Sequence, residues 1–279
     1  MRRITEEAIS NFARRLRQED RSPGTQENYL RHIRTFTRWM GNLPVTPESA
    51  AQWKAHLLDR SYAPGTVNAM LVPLNRFFAF LGWRDCQVKT LRIQRRMFRE
   101  NRRELTRKEY ARLLSAARVQ GRERLALLME AICATGIRVS EVQYLTVEAV
   151  ERGRAEIHLK GKIRTILIPG RLRKKLLRFA RKNKTASGAV FRTRSGRCLS
   201  RKQIWSEMKS LCKAAGVAAS KVFPHNLRHL FARAYYEVTR DVAKLADLLG
   251  HSSIETTRIY LISTGAEHAR TLDQLRLIS

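Results

Sequence analysis

Acidic residues are scarce in this chain: 24 Asp and Glu stand against 55 Lys and Arg, a formal net charge of +31. That excess is far more than solubility requires and points to a polyanionic partner. Nucleic acid is the first choice. A membrane surface ranks second, because no single helix is expected to segregate apolar from basic residues strongly enough to dominate. The four cysteines, Cys86, Cys133, Cys198 and Cys212, are scattered and form no CxxC pair. The spacing supports neither a zinc module nor a disulfide framework, and a reducing cytoplasm suits it. Long apolar runs are missing as well. The opening MRRITEEAISNFARRL has no signal-peptide core, and no stretch approaches the length of a membrane span. No group of carboxylates suggests a two-metal site.

What remains is a folding chain. Hydrophobic residues make up 43% of 279 positions, a length that favours about two domains. Residues 1–90 read as a helical bundle. Thr5-Glu6-Glu7 opens a helix with Ile9, Phe12 and Leu16 on one face, and Thr46-Pro47-Glu48 opens another with Trp53 and Leu57. Between and after them runs an echo. Ser22-Pro23-Gly24-Thr25 and Ala63-Pro64-Gly65-Thr66 each precede an apolar stripe that stops at Gly41 and Gly82, with Thr25 and Thr66 as expected N-caps. Arg31, Arg34 and Arg38, near Thr35 and Thr37, suit either phosphate contacts or a solvated face. Residues 91–104 form a basic linker, able to follow a phosphate backbone or simply extended by self-repulsion.

Residues 105–279 alternate helices with a little β structure. Thr106 and Glu109 make a capping box, and an apolar helix over Arg124–Ala134 ends at Thr135-Gly136. Arg138 follows at a turn beside that buried helix. An arginine entering apolar surroundings needs a partner, and Glu141 or a bound phosphate can serve. Residues 155–169 read as a hairpin, Ile157 and Leu159 alternating on one strand, Ile166 and Ile168 on the other, with Gly161 at the turn and Lys160 and Lys162 flanking it. Helices are expected at Arg171–Lys182, Ser200–Ala215, from Pro224, at Asp241–Leu249, at Ser253–Leu261 and over the tail Thr264–Ile278, with a short strand at Gly188–Arg192. His225 and Arg228 share a helix face. His251 lies beyond Gly250 on a loop, and Tyr260 near the end of the helix after it.

Breaking a phosphodiester needs cations on the non-bridging oxygens, a base for the nucleophile and an acid for the leaving oxygen. Arg138 and Arg228 can grip phosphate through paired N–H groups. His225 or His251 can take a proton near neutral pH. A hairpin-tip lysine can donate one. Tyr260 offers a phenolic nucleophile, and since a phenol ordinarily keeps its proton to about pH 10, these neighbours must activate it.

Four boxes in order carry a resemblance: Ala134–Glu141 (ATGIRVSE), Pro224–His229 (PHNLRH), Leu249–Ser253 (LGHSS) and Thr256–Tyr260 (TTRIY). They resemble the signature boxes of the tyrosine recombinase (phage integrase) family, and Lys160-Gly161 resembles its hairpin lysine. The likeness spans the second domain. The first is similar to the family's SAM-like core-binding domain, and the size to compact Xer-like and mobile-element integrases, without an extra arm-binding domain. The resemblance implies a mainly α fold with a small β-sheet, a mixed α+β catalytic domain following the helical bundle, and site-specific cutting and rejoining of double-stranded DNA. Tyr260 would form a 3′-phosphotyrosine, Arg138 and Arg228 would hold the scissile phosphate, Lys160 would be the general acid with Lys162 competing, His225 an acid/base group, and His251 a donor to the phosphate. No metal or ATP would be required, and four protomers would act on two duplexes, each C-terminal helix docking on a neighbour. A non-catalytic DNA-binding protein on this scaffold and a type IB topoisomerase are the alternatives.

Overall fold

The computed structural model describes residues 2–93, 104–159, 162–260 and 273–274. It divides into two compact units, Met1–Arg95 and Arg96–Ser279. Most of the expected linker, and the expected tail helix apart from residues 273–274, lie outside the described residues, as do Lys160 and Gly161.

The first unit is helical: α1 (Glu6–Gln18), α2 (Pro23–Met40), α3 (Pro47–Asp59) and α4 (Pro64–Phe80). Thr5 caps α1 by accepting from the Ala8 amide, and Thr46 and Ser49 form a reciprocal box at α3. The expected caps Thr25 and Thr66 are instead inside the first turns of α2 and α4. Proline at the first helical position loses no hydrogen bond and presets φ, so the helices begin at Pro23 and Pro64, after Ser22 and Ala63. The apolar stripes meet where α2 packs on α4, burying Phe36, Leu71, Leu74 and Phe78 with Trp53 from α3. Arg31, Arg34 and Arg38 are exposed on α2, but the hydroxyls of Thr35 and Thr37 are donated to their own helix, at Arg31 O and Ile33 O.

The second unit begins with α5 (Arg107–Val119), capped by the Thr106–Glu109 box, and the buried α6 (Glu123–Thr135), which ends on Gly136 at φ 63°. A 3₁₀ turn (Val139–Tyr144) and α7 (Val147–Arg152) lead to an antiparallel pair, β1 (Arg154–Leu159) and β2 (Lys162–Leu167). Its register pairs Ala155 with Ile166 and Ile157 with Arg164, so the buried face carries an arginine in line with Ala155, Ile157 and Ile166. Next comes α8 (Gly170–Lys182). It buries Leu172, Leu176 and Phe179 and exposes Arg171, Arg173, Lys174, Arg178 and Arg181. One helix does therefore segregate apolar from basic residues, contrary to expectation, but its apolar side is spent against α6 and α7.

The expected strand at Gly188–Arg192 reduces to isolated bridges, Thr146 to Ala189 and Arg192 to Cys198. The expected helix over Ser200–Ala215 breaks into α9 (Arg201–Lys209) and α10 (Cys212–Ala215). At the break the Ser210 hydroxyl donates to Glu207 O, competing for a helix carbonyl. Then follow α11 (Pro224–Thr239), α12 (Val242–Leu249) and α13 (Ile254–Arg258). The last is shorter than expected, and Tyr260 lies just past its end. No described helix is long and apolar enough to cross a membrane.

Candidate active site

Arg228 is the centre of the site and is 2% exposed. A buried guanidinium must place its N–H groups on acceptors, and helix C-termini supply carbonyls that have no partner in their own helix. Its Nη1 donates to Gly136 O at 2.6 Å, at the end of α6, and its Nη2 to Leu249 O at 2.7 Å, at the end of α12. Both helices stop on a left-handed glycine, Gly136 and Gly250. Glycine is needed at 136 for space as well, since a Cβ there would lie 2.5 Å from the Phe231 ring. The shape of the site thus starts from two chain reversals aimed at one arginine.

The end of α12 serves two more arginines. Leu248 O accepts from Arg164 Nη2 at 2.9 Å, and Gly250 O faces Arg138 Nη2 at a longer 3.4 Å. Three successive carbonyls, with the negative end of the helix dipole behind them, face three cations. Glu141 completes the frame. It is 2% exposed, and its carboxylate accepts from the Arg138 amide (2.9 Å), Arg138 Nη1 (2.9 Å) and Arg164 Nη1 (3.0 Å). The turn that carries Arg138 is held by the same group that holds its side chain. Burial is the main force lowering the Arg228 and Arg164 pKa values, with the neighbouring arginines adding to it; Arg164 is pushed down to about 10 despite Glu141. Both remain cationic at neutral pH. Arg138 is the accessible one, its side chain 40% exposed.

Tyr260 is 4% exposed and sits among three histidines. Its ring lies 5.9 Å from that of His225, 4.4 Å edge-on from that of His229 and 5.7 Å from that of His251, nearly parallel at 11°. Its hydroxyl hydrogen-bonds with Arg228. Burial, then Arg228 and Arg138, lower the pKa of both His225 and His251, the latter to about 4. His251 is therefore neutral at pH 7. Its Nε2 lies 2.9 Å from Arg228 Nη2, a donor that cannot accept, so Nδ1 carries the hydrogen and donates to Thr257 Oγ1 at 2.8 Å.

Of the residues singled out in the sequence, Arg138, His225, Arg228, His251 and Tyr260 come together around one point, and Glu141 is the partner of Arg138. Lys160 lies outside the described residues; β2 starts at Lys162. Four contributors carried no role in the sequence reading. His229 and Thr257 fall inside the boxes and show their contacts only in three dimensions. Arg164 had a signal: it continues the Ile168, Ile166 alternation onto a buried position, where an arginine demands acceptors. The carbonyls of α12 have no sequence signal at all.

Comparison with known proteins closes the case. Residues 103–267 match the phage integrase family, and residues 9–85 its N-terminal SAM-like domain. The chain belongs to the phage integrase family of tyrosine recombinases. Tyrosine recombinase XerA of Thermococcus kodakarensis is 32% identical over 95% of this chain and 93% of its own. Tyrosine recombinase XerD of Xanthomonas campestris pv. campestris is 29% identical over 98% and 92%. Among solved structures, a lambda integrase tetramer bound to a Holliday junction superposes with a TM-score of 0.74 (19% identity, 91% of this chain and 76% of that one). XerH bound to its difH substrate gives 0.68 (18% identity, 96% and 84%). The enzyme is thus a site-specific recombinase with the family's helical and mixed catalytic folds.

Proposed function

We propose that this recombinase cuts and rejoins double-stranded DNA through a covalent bond to Tyr260, and that Arg138, Arg228, His225, His251 and a hairpin lysine, Lys160 or its rival Lys162, perform the step. The observation that carries the reading is Tyr260 hydrogen-bonded with buried Arg228 while packed between His225 and His251. In that reading the Tyr260 oxygen attacks the phosphorus and gives its proton to His225. The bond from phosphorus to the 5′-oxygen breaks, and the lysine protonates the leaving oxygen. Rejoining reverses each transfer, so the phosphotyrosine keeps the bond energy and no nucleotide is consumed. Arg138 and Arg228 hold the non-bridging oxygens and match the charge that grows there. His251 donates to the phosphate once its hydrogen passes to Nε2. Thr257 Oγ1, which can donate as well as accept, supports that exchange.

The wider setting follows from the same reading: four protomers on two duplexes, the C-terminal helix docking on a neighbour, in the cytoplasm. In this reading the helical DNA-binding domain spans 1–90 and the catalytic domain 105–279, joined by a basic linker at 91–104. The decisive experiment is incubation with a target site nicked near the scissile phosphate, which traps the covalent intermediate. Wild type should give a protein–DNA adduct stable in detergent, and Tyr260→Phe none, with DNA binding retained. An adduct with Tyr260→Phe would reassign the nucleophile. Salt-sensitive binding without any adduct in wild type would favour a non-catalytic binding protein.

A further inference from the structure

Arg164 belongs to none of the boxes, yet it bonds to two of the groups that frame the phosphate clamp, Glu141 and the end of α12. From β2 it reaches Glu141, which fixes Arg138, and Leu248 O, the carbonyl next to the one that holds Arg228. Its stem also fills the space beside Gly250, where any Cβ would collide with Arg164 Cδ and Nε. The side chain is 11% exposed and its Nη1 and Nη2 groups are committed to protein acceptors, so it has no free fork for a substrate. An ion pair this buried is weak support for stability as such, since apolar residues of similar volume often do as well or better. What an arginine gives here is direction: a rigid planar fork that joins a strand, a turn and a helix end at fixed angles.

The strand it anchors is the one that leaves the hairpin tip. Arg164 shares β2 with Lys162, and Lys162 pairs with Leu159, the residue before Lys160. Among the described residues the sheet has two strands, and a two-stranded ribbon depends on packing against other elements for its placement. We propose that Arg164 is a positioning residue: it docks the hairpin onto the arginine clamp, and so sets the reach of the hairpin lysine to the leaving oxygen. The inference rests on the recombinase reading above and adds a residue to it. A lysine is long and flexible, and an acid misplaced by about 1 Å can cost on the order of 100-fold in rate.

The test separates acid delivery from every other function of the site. Single-turnover cleavage is measured for wild type, Arg164→Gln, Arg164→Lys, Lys160→Ala and Lys162→Ala. Each is given a normal suicide substrate and one with sulfur in place of the bridging 5′-oxygen, a leaving group acidic enough to depart without a proton donor. Wild type must cleave both; if it cleaves neither, the recombinase reading fails and not this inference. Arg164→Gln should lose roughly 10- to 100-fold on normal DNA and regain most of it on the sulfur substrate, as should Lys160→Ala, or Lys162→Ala if Lys162 is the acid. Arg164→Lys, which keeps the charge but not the fork, should show the same pattern more mildly and guards against a misfolded Gln variant. Undiminished cleavage of normal DNA, or a loss of equal size on both substrates in folded protein, overturns the proposal.

Discussion

Replacing Glu141 by Gln should be among the most damaging single-atom changes available in the catalytic unit. Its carboxylate answers two arginines and a backbone amide while 2% exposed. Exposed ion pairs are worth about 0–1 kcal/mol, because water screens them. Removing one partner of a buried pair costs about 3–5 kcal/mol, because the other charge stays uncompensated. The contacts place Glu141 in the second class: its side chain is 3% exposed, whereas the Lys182–Glu123 pair is 67% and 56% exposed. For a unit of this size that cost corresponds to a fall in Tm on the order of 10 °C. Glu123→Gln is the control and should cost less than about 1 kcal/mol. Thermal and urea unfolding of the full chain measure both, with adduct formation alongside; freed from its tether, Arg138 should lose roughly 10- to 100-fold in cleavage. Equal unfolding midpoints for Glu141→Gln and Glu123→Gln would show that the Glu141 frame contributes no more than a surface pair, and the reasoning would be refuted.

Gly250→Ala should hurt cleavage more than its backbone strain explains. Gly250 and Gly121 have φ of 62° and 67°, so alanine costs about 1–2 kcal/mol at either, but only at 250 does the new Cβ strike Arg164; at 121 it meets nothing within 4 Å. Gly121→Ala should therefore keep its cleavage rate while Gly250→Ala loses about tenfold, and equal rates would contradict the role given to Arg164. Acid should also destabilise the catalytic unit. Burial beside Arg228, Arg138 and Arg164 lowers the folded-state pKa of His251 to about 4, below its ordinary value of 6.5, and His225 shifts the same way. Between those values the unfolded chain binds more protons, so stability is full above about pH 6.5 and falls as pH drops toward 4. His251→Asn should flatten that part of a Tm–pH profile; an unchanged slope would remove His251 as its source.

Much of the site was legible in one dimension because its chemistry is carried by residue type and local spacing. His225 and Arg228 share a face by helical geometry, Glu141 caps the turn of Arg138 at capping-box distance, and glycines at 136 and 250 mark helix ends. Helix starts failed by a few residues where proline outranked threonine, and the break at Ser210 followed from a hydroxyl that no periodicity reveals.

Local spacing by itself determined most of the described helices and the hairpin, and composition the positive charge. Only the tertiary structure decided how three arginines can share one helix end. Leu248, Leu249 and Gly250 offer carbonyls that any sequence would offer there, and their value comes from α6, β2 and the Arg138 turn converging on them. Backbone acceptors have no letter in the sequence. Burial likewise belongs to the assembled unit, and it is burial among cations that lowers the pKa of His225 and His251 and gives Arg164 its place.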